Sequence, residues 1–179
     1  MYGMIHQAAR DLAVSRLGQR EWDALVERNG LSGRFFIGME YYSDTETLDL
    51  VRLISERLGC GMAETLDAFG RCWIEFAGAS AYGRALRMAG GDLATFLENL
   101  DRMHASIKSS MPHAKMPGFE VIDSTDDEIR VLYSSEREGL EAFVQGILAA
   151  VAERFGERAR ISHHPTEGGV VFVLARERG

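Results

Sequence analysis

The sequence predicts an α+β fold, in which a helical N-terminal half is followed by an antiparallel four-stranded sheet with an intervening helix. Apolar residues recur at intervals of three and four from residue 3 to residue 108, which indicates five to seven helices. Beyond Pro117 the apolar residues alternate with polar ones, as is typical of strands. The chain has 179 residues, of which 46% are hydrophobic, so one domain over residues 1–179 is expected.

The helical half contains recognisable helix ends. Residues 48–58 carry one apolar stripe, with Asp44 as the expected cap before it and Gly59 as the expected end after it. Farther along, Asp92 is expected to cap a helix that runs as one unit to about residue 107. One face of this helix is predicted to hold Leu93, Phe96, Leu97, Leu100, Met103, His104 and Ile107.

The second half is predicted to run strand, strand, helix, strand, strand. Residues 119–123 and 128–134 flank a Ser-Thr-Asp-Asp turn and form the first predicted hairpin. Residues 158–163 and 170–176 form the second, around the sequence Pro-Thr-Glu-Gly-Gly. The helix between the hairpins carries one apolar stripe, formed by Leu140, Phe143, Val144, Ile147, Leu148, Val151 and Phe155.

Charge and cysteine content exclude several functional classes. A net charge of −7 argues against a nucleic-acid partner or an anionic membrane surface, because both need an excess of Lys and Arg. Cys60 and Cys72 are too few for a disulfide framework and are not spaced as a metal site, which fits a reducing compartment. Residues 1–17 lack the unbroken apolar run of a signal peptide or membrane span. We therefore expect a cytoplasmic protein.

His104 is the strongest candidate for a metal ligand. A neutral imidazole held among apolar side chains is a good iron ligand. A core histidine with a backbone hydrogen bond explains the same pattern, and from this helix alone it is the more frequent outcome. The remaining histidines have no comparable setting, and they are His6, His113, His163 and His164.

Tyr133, Ser135 and Arg137 form a second candidate group. They alternate along a predicted strand, so their three donors are expected on one face. Two hydroxyls and a guanidinium can clamp paired carboxylates, such as the two propionates of haem. The alternative is structural, since Ser135 and Glu138 have the spacing of a capping box for a helix that begins there. The residues alone leave both interpretations open.

Four segments carry a family pattern in a fixed order: residues 1–3 (Met-Tyr-Gly), 99–104 (Asn-Leu-Asp-Arg-Met-His), 116–119 (Met-Pro-Gly-Phe) and 133–140 (Tyr-Ser-Ser-Glu-Arg-Glu-Gly-Leu). With them the chain resembles the H-NOX family, the haem nitric oxide/oxygen binding domains, which include the sensor domain of soluble guanylate cyclase. The resemblance extends over essentially the whole chain. It implies a helical subdomain over about residues 1–60 and a haem-cradling subdomain over about residues 61–179. Haem b would be buried between helices and sheet.

The resemblance also implies roles for single residues. His104 matches the histidine that ligates the haem iron, and Pro117 matches a proline that presses on the haem and bends it. Tyr133, Ser135 and Arg137 match the residues that bind the propionates. The distal pocket, on the face of the haem opposite His104, is matched by Ile5, Trp73, Phe143 and Ile147.

The residue at position 143 bears on which gas is bound. Family members that hold oxygen stably place a tyrosine hydroxyl over the iron, because bound oxygen carries partial negative charge. Phe143 has no hydroxyl, and the indole N–H of Trp73 is better explained by packing than by donation to a gas. We therefore expect a sensor of nitric oxide and CO at ferrous haem that excludes oxygen.

The resemblance implies signalling to a separate effector protein. Nitric oxide weakens the bond between iron and His104, which would release the helix that carries this ligand. Stand-alone bacterial members act on a histidine kinase or a diguanylate cyclase/phosphodiesterase. The chain ends soon after its last predicted strand and lacks the common hydrolase and kinase motifs, so we expect no enzymatic activity. The rival functions are an oxygen or redox haem sensor and a haem-free interaction module.

Overall fold

The computed structural model describes residues 1–31, 36–109, 111 and 113–177. In these residues seven helices come first: α1 Gly3–Leu17, α2 Gln19–Arg28, α3 Asp44–Leu58, α4 Met62–Ala79, α5 Gly83–Met88, α6 Leu93–Glu98 and α7 Leu100–Lys108. They are followed by β1 Gly118–Ser124, β2 Glu128–Ser134, α8 Glu141–Arg154, β3 Ala159–Thr166 and β4 Gly169–Arg176. This order confirms the predicted α+β fold. No helix of the described residues has the length and apolar content needed to cross a membrane.

The four strands form one antiparallel sheet in the order β1-β2-β4-β3. Strand β3 runs three residues farther than predicted and includes Pro165. A proline is tolerated here because β3 lies at the edge of the sheet, where a missing N–H disrupts no further strand. The sheet buries the alternate residues Ile129, Val131 and Tyr133 of β2 against α8.

Two clusters of buried apolar residues make up the core, and α4 contributes to both. The first cluster joins α1, α2 and α3 to Leu66 and Phe69 in the first half of α4. The second joins Ile74 and Ala77 in the second half of α4 to α5, α6, α8 and the sheet. Helix α4 is therefore the element through which the front helices and the half that carries the sheet are packed together.

Helix α3 begins with a capping box. The Ser43 hydroxyl accepts a hydrogen bond from the Glu46 N–H (3.1 Å), and the Glu46 carboxylate accepts one from the Ser43 N–H (3.0 Å). The prediction of Asp44 as the cap is therefore wrong by one residue, because Ser43 completes the reciprocal pair. The predicted end at Gly59 is confirmed, with the glycine in the left-handed conformation (φ 68°). Asp44 is left with its carboxylate available for other contacts.

The segment that carries His104 is two helices, so the prediction of one unit is wrong. Asp92 caps α6 as predicted and accepts a hydrogen bond from the Thr95 N–H (2.9 Å). The break lies at Asn99, whose side-chain amide donates to the carbonyl oxygens of Ala89 and Thr95, both at 2.9 Å. An asparagine that hydrogen-bonds the backbone competes with a continuous helix. His104 consequently lies on α7, a helix of nine residues.

The capping box at Ser135 and Glu138, the structural alternative for these residues, does not form. Helix α8 begins at Glu141, and Gly139 before it has a left-handed, non-helical backbone conformation (φ 75°). The Ser135 hydroxyl instead accepts a hydrogen bond from the Arg137 N–H (3.0 Å). Strand β2 ends at Ser134, so Ser135 and Arg137 lie in the connection to α8 and not in a strand as predicted. This local turn leaves both side chains free of a capping role.

Candidate functional site

A largely apolar cavity of about 230 Å³ is lined by α1, α4, α5, α6, α7 and α8 together with residues 111, 114–117 and 119 and the segment 133–137. Every residue that the sequence singled out for the site lines this cavity: Ile5, Trp73, His104, Pro117, Tyr133, Ser135, Arg137, Phe143 and Ile147. The structure thus brings together residues from both halves of the chain.

His104 presents a neutral imidazole to the cavity. Its Nδ1 lies 3.2 Å from the carbonyl oxygen of Pro117. Because a carbonyl oxygen only accepts, Nδ1 carries the proton and Nε2 keeps its lone pair. Burial lowers the pKa of His104, although the Pro117 hydrogen bond and the charge of Asp101 partly oppose that effect. A neutral ring with one oriented nitrogen and one free nitrogen is the form that ligates a metal.

Asp101 attaches the helix that carries His104 to the sheet. Its carboxylate accepts a hydrogen bond from the N–H of Phe119 in β1 (2.9 Å). The ring of Phe119 also lies beside His104, with 5.9 Å between centroids. The sequence interpretation did not single out Asp101. Its position three residues before His104, nearly one turn along the helix, is the signal that could have identified it.

Tyr133 is a buried hydroxyl donor in β2. Its ring packs between Phe119 and Phe172, with centroid distances of 5.3 Å and 6.0 Å. Burial raises the pKa of Tyr133, while a hydrogen bond with Ser135 and the charge of Arg137 oppose the rise. The hydroxyl therefore remains protonated at neutral pH and can donate to an anion.

Arg137 lines the cavity together with Tyr133 and has N–H groups available for a further hydrogen-bond acceptor. Its Nε and Nη2 donate to the two carboxylate oxygens of Asp44 (2.8 Å and 3.3 Å), and Nη1 donates to the Lys115 carbonyl oxygen (2.7 Å). A guanidinium has five N–H groups, so two remain beyond these three bonds to described residues. Only 15% of the Arg137 side chain is exposed. A second carboxylate can therefore be bound by a guanidinium whose position is already fixed.

Asp44 is a functional candidate that the sequence interpretation missed. Its carboxylate also accepts a hydrogen bond from the Met1 nitrogen (3.0 Å). Burial raises the pKa of Asp44, but the hydrogen bonds from Arg137 and from this amine outweigh it and hold the pKa below its ordinary value of 3.8. No spacing could have paired residues 93 positions apart. The capping box at Ser43 is the local reason that the carboxylate is available.

The other wall of the cavity is apolar. Ile5 comes from α1, Trp73 from α4, and Phe143 and Ile147 from α8. The ring of Phe143 packs on Phe69 at a centroid distance of 4.9 Å. Trp73 stacks on Phe76 with 5.9 Å between centroids and an interplanar angle of 22°. The wall therefore presents rings and aliphatic groups at these four positions.

Tyr2 is a further residue of the cavity that the sequence interpretation did not assign. It is buried, lines the cavity and packs edge-on against Tyr41 (5.9 Å between centroids). Tyr41 and Tyr82 line the same cavity. His6 of α1 is buried, its Nε2 lies 3.2 Å from the Thr47 hydroxyl and its ring stacks on Phe36 (4.6 Å). His6 is thus a core residue.

The donors around the cavity fit the chemistry of haem. One oriented imidazole supplies a nitrogen for iron, and apolar side chains supply contact for a planar macrocycle. At one edge, the spare N–H groups of Arg137 and the hydroxyls of Tyr133 and Ser135 match two carboxylates.

Comparison with known proteins agrees with this chemistry. The model of the haem-NO-binding family, HNOB, matches residues 2–163. The chain belongs to this family. It is 31% identical over 161 residues to soluble guanylate cyclase gcy-35 of Caenorhabditis elegans, a match that covers 86% of this chain and 23% of the cyclase. The chain thus spans about a quarter of the length of such relatives.

Solved H-NOX structures share the fold at low sequence identity. The H-NOX protein from S. oneidensis in the Fe(II)NO ligation state superimposes with a TM-score of 0.85 at 19% identity, over 99% of this chain and 100% of that chain. An oxygen-binding H-NOX domain related to soluble guanylate cyclases, in its oxygen complex, gives a TM-score of 0.79 at 19% identity, over 99% and 96% of the chains. Since one neighbour holds nitric oxide and the other oxygen, the fold does not decide the gas.

Proposed function

We propose that this protein is a haem-based sensor of nitric oxide. The observation that supports it most is that one cavity is lined by a neutral histidine, by two residues with hydroxyl groups and by an arginine whose position is fixed by Asp44. Haem b, when bound, would supply an iron that can bind a gas. The residues proposed to hold it are His104 at the iron and Tyr133, Ser135 and Arg137 at the propionates.

Pro117 is proposed to act on the proximal side in two ways. Its ring lines the cavity next to His104, where it would press on the macrocycle. Its carbonyl oxygen orients the imidazole through the 3.2 Å contact with Nδ1. A partner that fixes the tautomer and the ring orientation of a ligating histidine also strengthens that histidine as a ligand.

The apolar distal wall supports selectivity for nitric oxide and CO over oxygen. Bound oxygen gains from a nearby hydrogen-bond donor, whereas nitric oxide and CO depend mainly on the iron. Phe143 offers no donor, and Ile5 and Ile147 offer none either. The stacking of Trp73 on Phe76 supports a packing role for the indole. We therefore propose that the ferrous protein excludes oxygen.

The position of α7 supports signalling through the His104 bond. Leu100 is buried, and Met103, His104 and Ile107 line the cavity that haem would fill. The helix is tied to the following segment by the His104 contact with Pro117 and by the Asp101 bond to Phe119. Weakening of the iron bond would thus act directly on this short helix and, through these two contacts, on the start of β1.

We further propose that the signal passes to a separate effector in the cytoplasm. The resemblance to stand-alone H-NOX proteins supports a histidine kinase or a diguanylate cyclase/phosphodiesterase as this partner, with the sensor itself not an enzyme. A purified kinase or cyclase of the same cell would be assayed with the haem-loaded protein before and after nitric oxide. We expect its activity to change with the gas only in the presence of the sensor.

The direct test of the function is an absorption spectrum of the purified protein. The protein would be loaded with haem, reduced, and exposed separately to CO, nitric oxide and air. We expect bound haem, distinct CO and nitric oxide spectra, and no stable oxygen spectrum. His104→Ala should lose most of the haem, while His164→Ala, a control on an exposed residue of β3, should not. Failure of the unaltered protein to bind haem would favour the interaction module.

Tyr2 favours one second candidate, an oxygen sensor. Its hydroxyl belongs to a buried residue of the same cavity and is a possible donor outside position 143. A stable oxygen spectrum that is lost in Tyr2→Phe would establish this alternative and overturn the exclusion of oxygen.

A further inference from the structure

Lys115 and Arg137 are the two cationic side chains among the described residues that line the cavity, and none of those residues is Asp or Glu. The carbonyl oxygen of Lys115 accepts a hydrogen bond from Arg137 Nη1 (2.7 Å), so the two residues are neighbours. The Lys115 amine lies 2.8 Å from the carboxylate of Glu136, the residue between Ser135 and Arg137. A second cation is therefore held beside the residues proposed to bind the propionates.

The charge of Arg137 is already shared within the fold. Asp44 accepts hydrogen bonds from Arg137 and from the Met1 amine, so these three groups together retain one positive charge. Haem has two propionates, and two negative charges at the edge of an apolar cavity are costly unless each is paired. Tyr133 and Ser135 can donate hydrogen bonds but carry no charge. The charge balance thus favours a second cation at this edge.

The ion pair between Lys115 and Glu136 can be exchanged for another at little cost. Both side chains are largely exposed, Lys115 at 53% and Glu136 at 73%. Exposed ion pairs contribute little to stability, because water and salt screen the charges. The hydrogen bond with Glu136 and the charge of its carboxylate raise the pKa of Lys115, so the amine is protonated at neutral pH. Lys115 is therefore a charged donor on a flexible stem beside the cavity.

We propose that Lys115 binds one haem propionate, and that it exchanges Glu136 for this carboxylate when haem enters the cavity. Arg137 then holds the other propionate together with the hydroxyls of Tyr133 and Ser135. Lys115 in this role slows the loss of haem and gives the cavity a preference for a porphyrin with two free carboxylates. The inference rests on the proposed function, because the propionates are present only when haem is bound.

The first test compares haem-loaded Lys115→Met with haem-loaded Lys108→Met. Lys108 is an exposed residue at the end of α7 that does not line the cavity. Lys115 chiefly lowers the pKa of Glu136, by its hydrogen bond and its charge, and Lys108 contributes to the same shift, so the two lysines share one electrostatic environment. The measurement is the rate of haem transfer to a scavenging apoprotein. We expect several-fold faster transfer from Lys115→Met and an unchanged rate from Lys108→Met.

The second test separates a bond to a propionate from a general effect on the fold. The unaltered protein and Lys115→Met would be loaded with haem dimethyl ester, whose esterified propionates carry no charge. Both proteins should then transfer the ester at the same rate, because the partner of Lys115 is missing. Equal acceleration of haem and ester transfer in Lys115→Met would overturn the inference. Equal haem transfer from Lys115→Met and Lys108→Met would do the same.

Glu136→Gln covers the case in which Lys115→Met does not fold, because it leaves the lysine in place. It removes the carboxylate that competes for Lys115, so haem transfer should become several-fold slower. Glu138→Gln removes the same charge from an exposed residue two positions away and should leave the rate unchanged. An unchanged rate in Glu136→Gln, or the same change in both variants, would overturn the inference. Failure of the unaltered protein to take up haem would instead overturn the proposed function.

Discussion

The two sides of the cavity are packed in opposite ways. On one side, α7 places Met103, His104 and Ile107 at the cavity and is joined to the following segment by polar contacts from Asp101 and His104. On the other, α4 and α8 touch through their backbones at Gly70 and Gly146. Single polar contacts break at modest cost, whereas a close-packed helix pair resists displacement. The two sides of the site are therefore held by contacts of different kinds.

This difference gives a physical basis for a sensor. Under the proposed function, the wall formed by α4 and α8 would decide which gas binds, and α7, attached by polar contacts, would respond to it. Variants of each side should therefore change different measurements, namely gas selectivity for the wall and haem retention or signalling for the helix.

His104→Gly should have the largest effect, because it removes the proposed bond between α7 and iron. We expect haem content to fall by more than about tenfold without added ligand. Free imidazole should restore haem binding, since the pocket is otherwise intact. The response of the effector to nitric oxide should stay lost, because imidazole is not connected to α7. Haem content is read from absorbance, and a normal nitric oxide response in the rescued variant would contradict the mechanism.

Phe143→Tyr should change the side of the cavity formed by α4 and α8, because it adds a hydrogen-bond donor. A hydrogen bond to a charged acceptor contributes about 1.5–3 kcal/mol, so the affinity for oxygen should rise by about tenfold or more. Titration of the ferrous protein with oxygen measures it, and Phe143→Tyr should form an oxygen spectrum that the unaltered protein lacks. Phe155→Tyr, just after α8 and away from the cavity lining, is the control and should form no such spectrum. No oxygen spectrum in Phe143→Tyr would mean that position 143 does not face the gas.

Asp44→Asn should weaken the hydrogen-bonded ion pair that positions Arg137, without altering α7, α4 or α8. Because Asp44 is 33% exposed, the loss of stability should be about 1 kcal/mol or less, which lowers Tm by about 2–4 °C. Haem should transfer several-fold faster to a scavenging apoprotein. Asp49→Asn, which breaks an exposed ion pair on the same helix, should change neither quantity. Equal haem transfer from the two variants would exclude Asp44 from the clamp.

The pH dependence of that variant follows from the lowered pKa of Asp44. The folded-state pKa lies below the ordinary 3.8, so the carboxylate stabilises the fold above that pH and loses its contribution as the pH falls through the folded-state pKa. The difference in Tm between the unaltered protein and Asp44→Asn should be constant near neutrality. It should shrink toward zero below about pH 4. A difference that grows in acid would contradict this sign.

Trp73→Phe and Tyr2→Phe should have the smallest effects. Each removes one donor from a residue that lines the cavity, and Trp73 is proposed to act through packing. We expect CO rebinding and the absence of a stable oxygen spectrum to be unchanged in both. A clear change in either variant would mean that the distal wall does carry a donor and that its apolar character is incomplete.

The sequence was sufficient for the elements and for the residues that gather at the cavity. Periodicity separated helices from strands because it reports which side chains must be buried, and burial is a local pattern. The motif around His104 and the spacing of Tyr133, Ser135 and Arg137 carried the resemblance to the family. Local features that compete with helix formation were harder to predict. Asn99 breaks a helix whose apolar stripe continues through it, and Gly139 precedes a helix that begins too late for Ser135 to cap it.

The sequence by itself determined the fold class, the family and the candidate residues, because these follow from patterns within short segments. Only the tertiary structure showed that Asp44 holds Arg137 and that Gly70 and Gly146 let two helices touch. These contacts join residues far apart in the chain, where no periodicity or motif spacing operates. The physical reason is that an ion pair or a close helix crossing depends on how whole elements pack, which no single segment encodes.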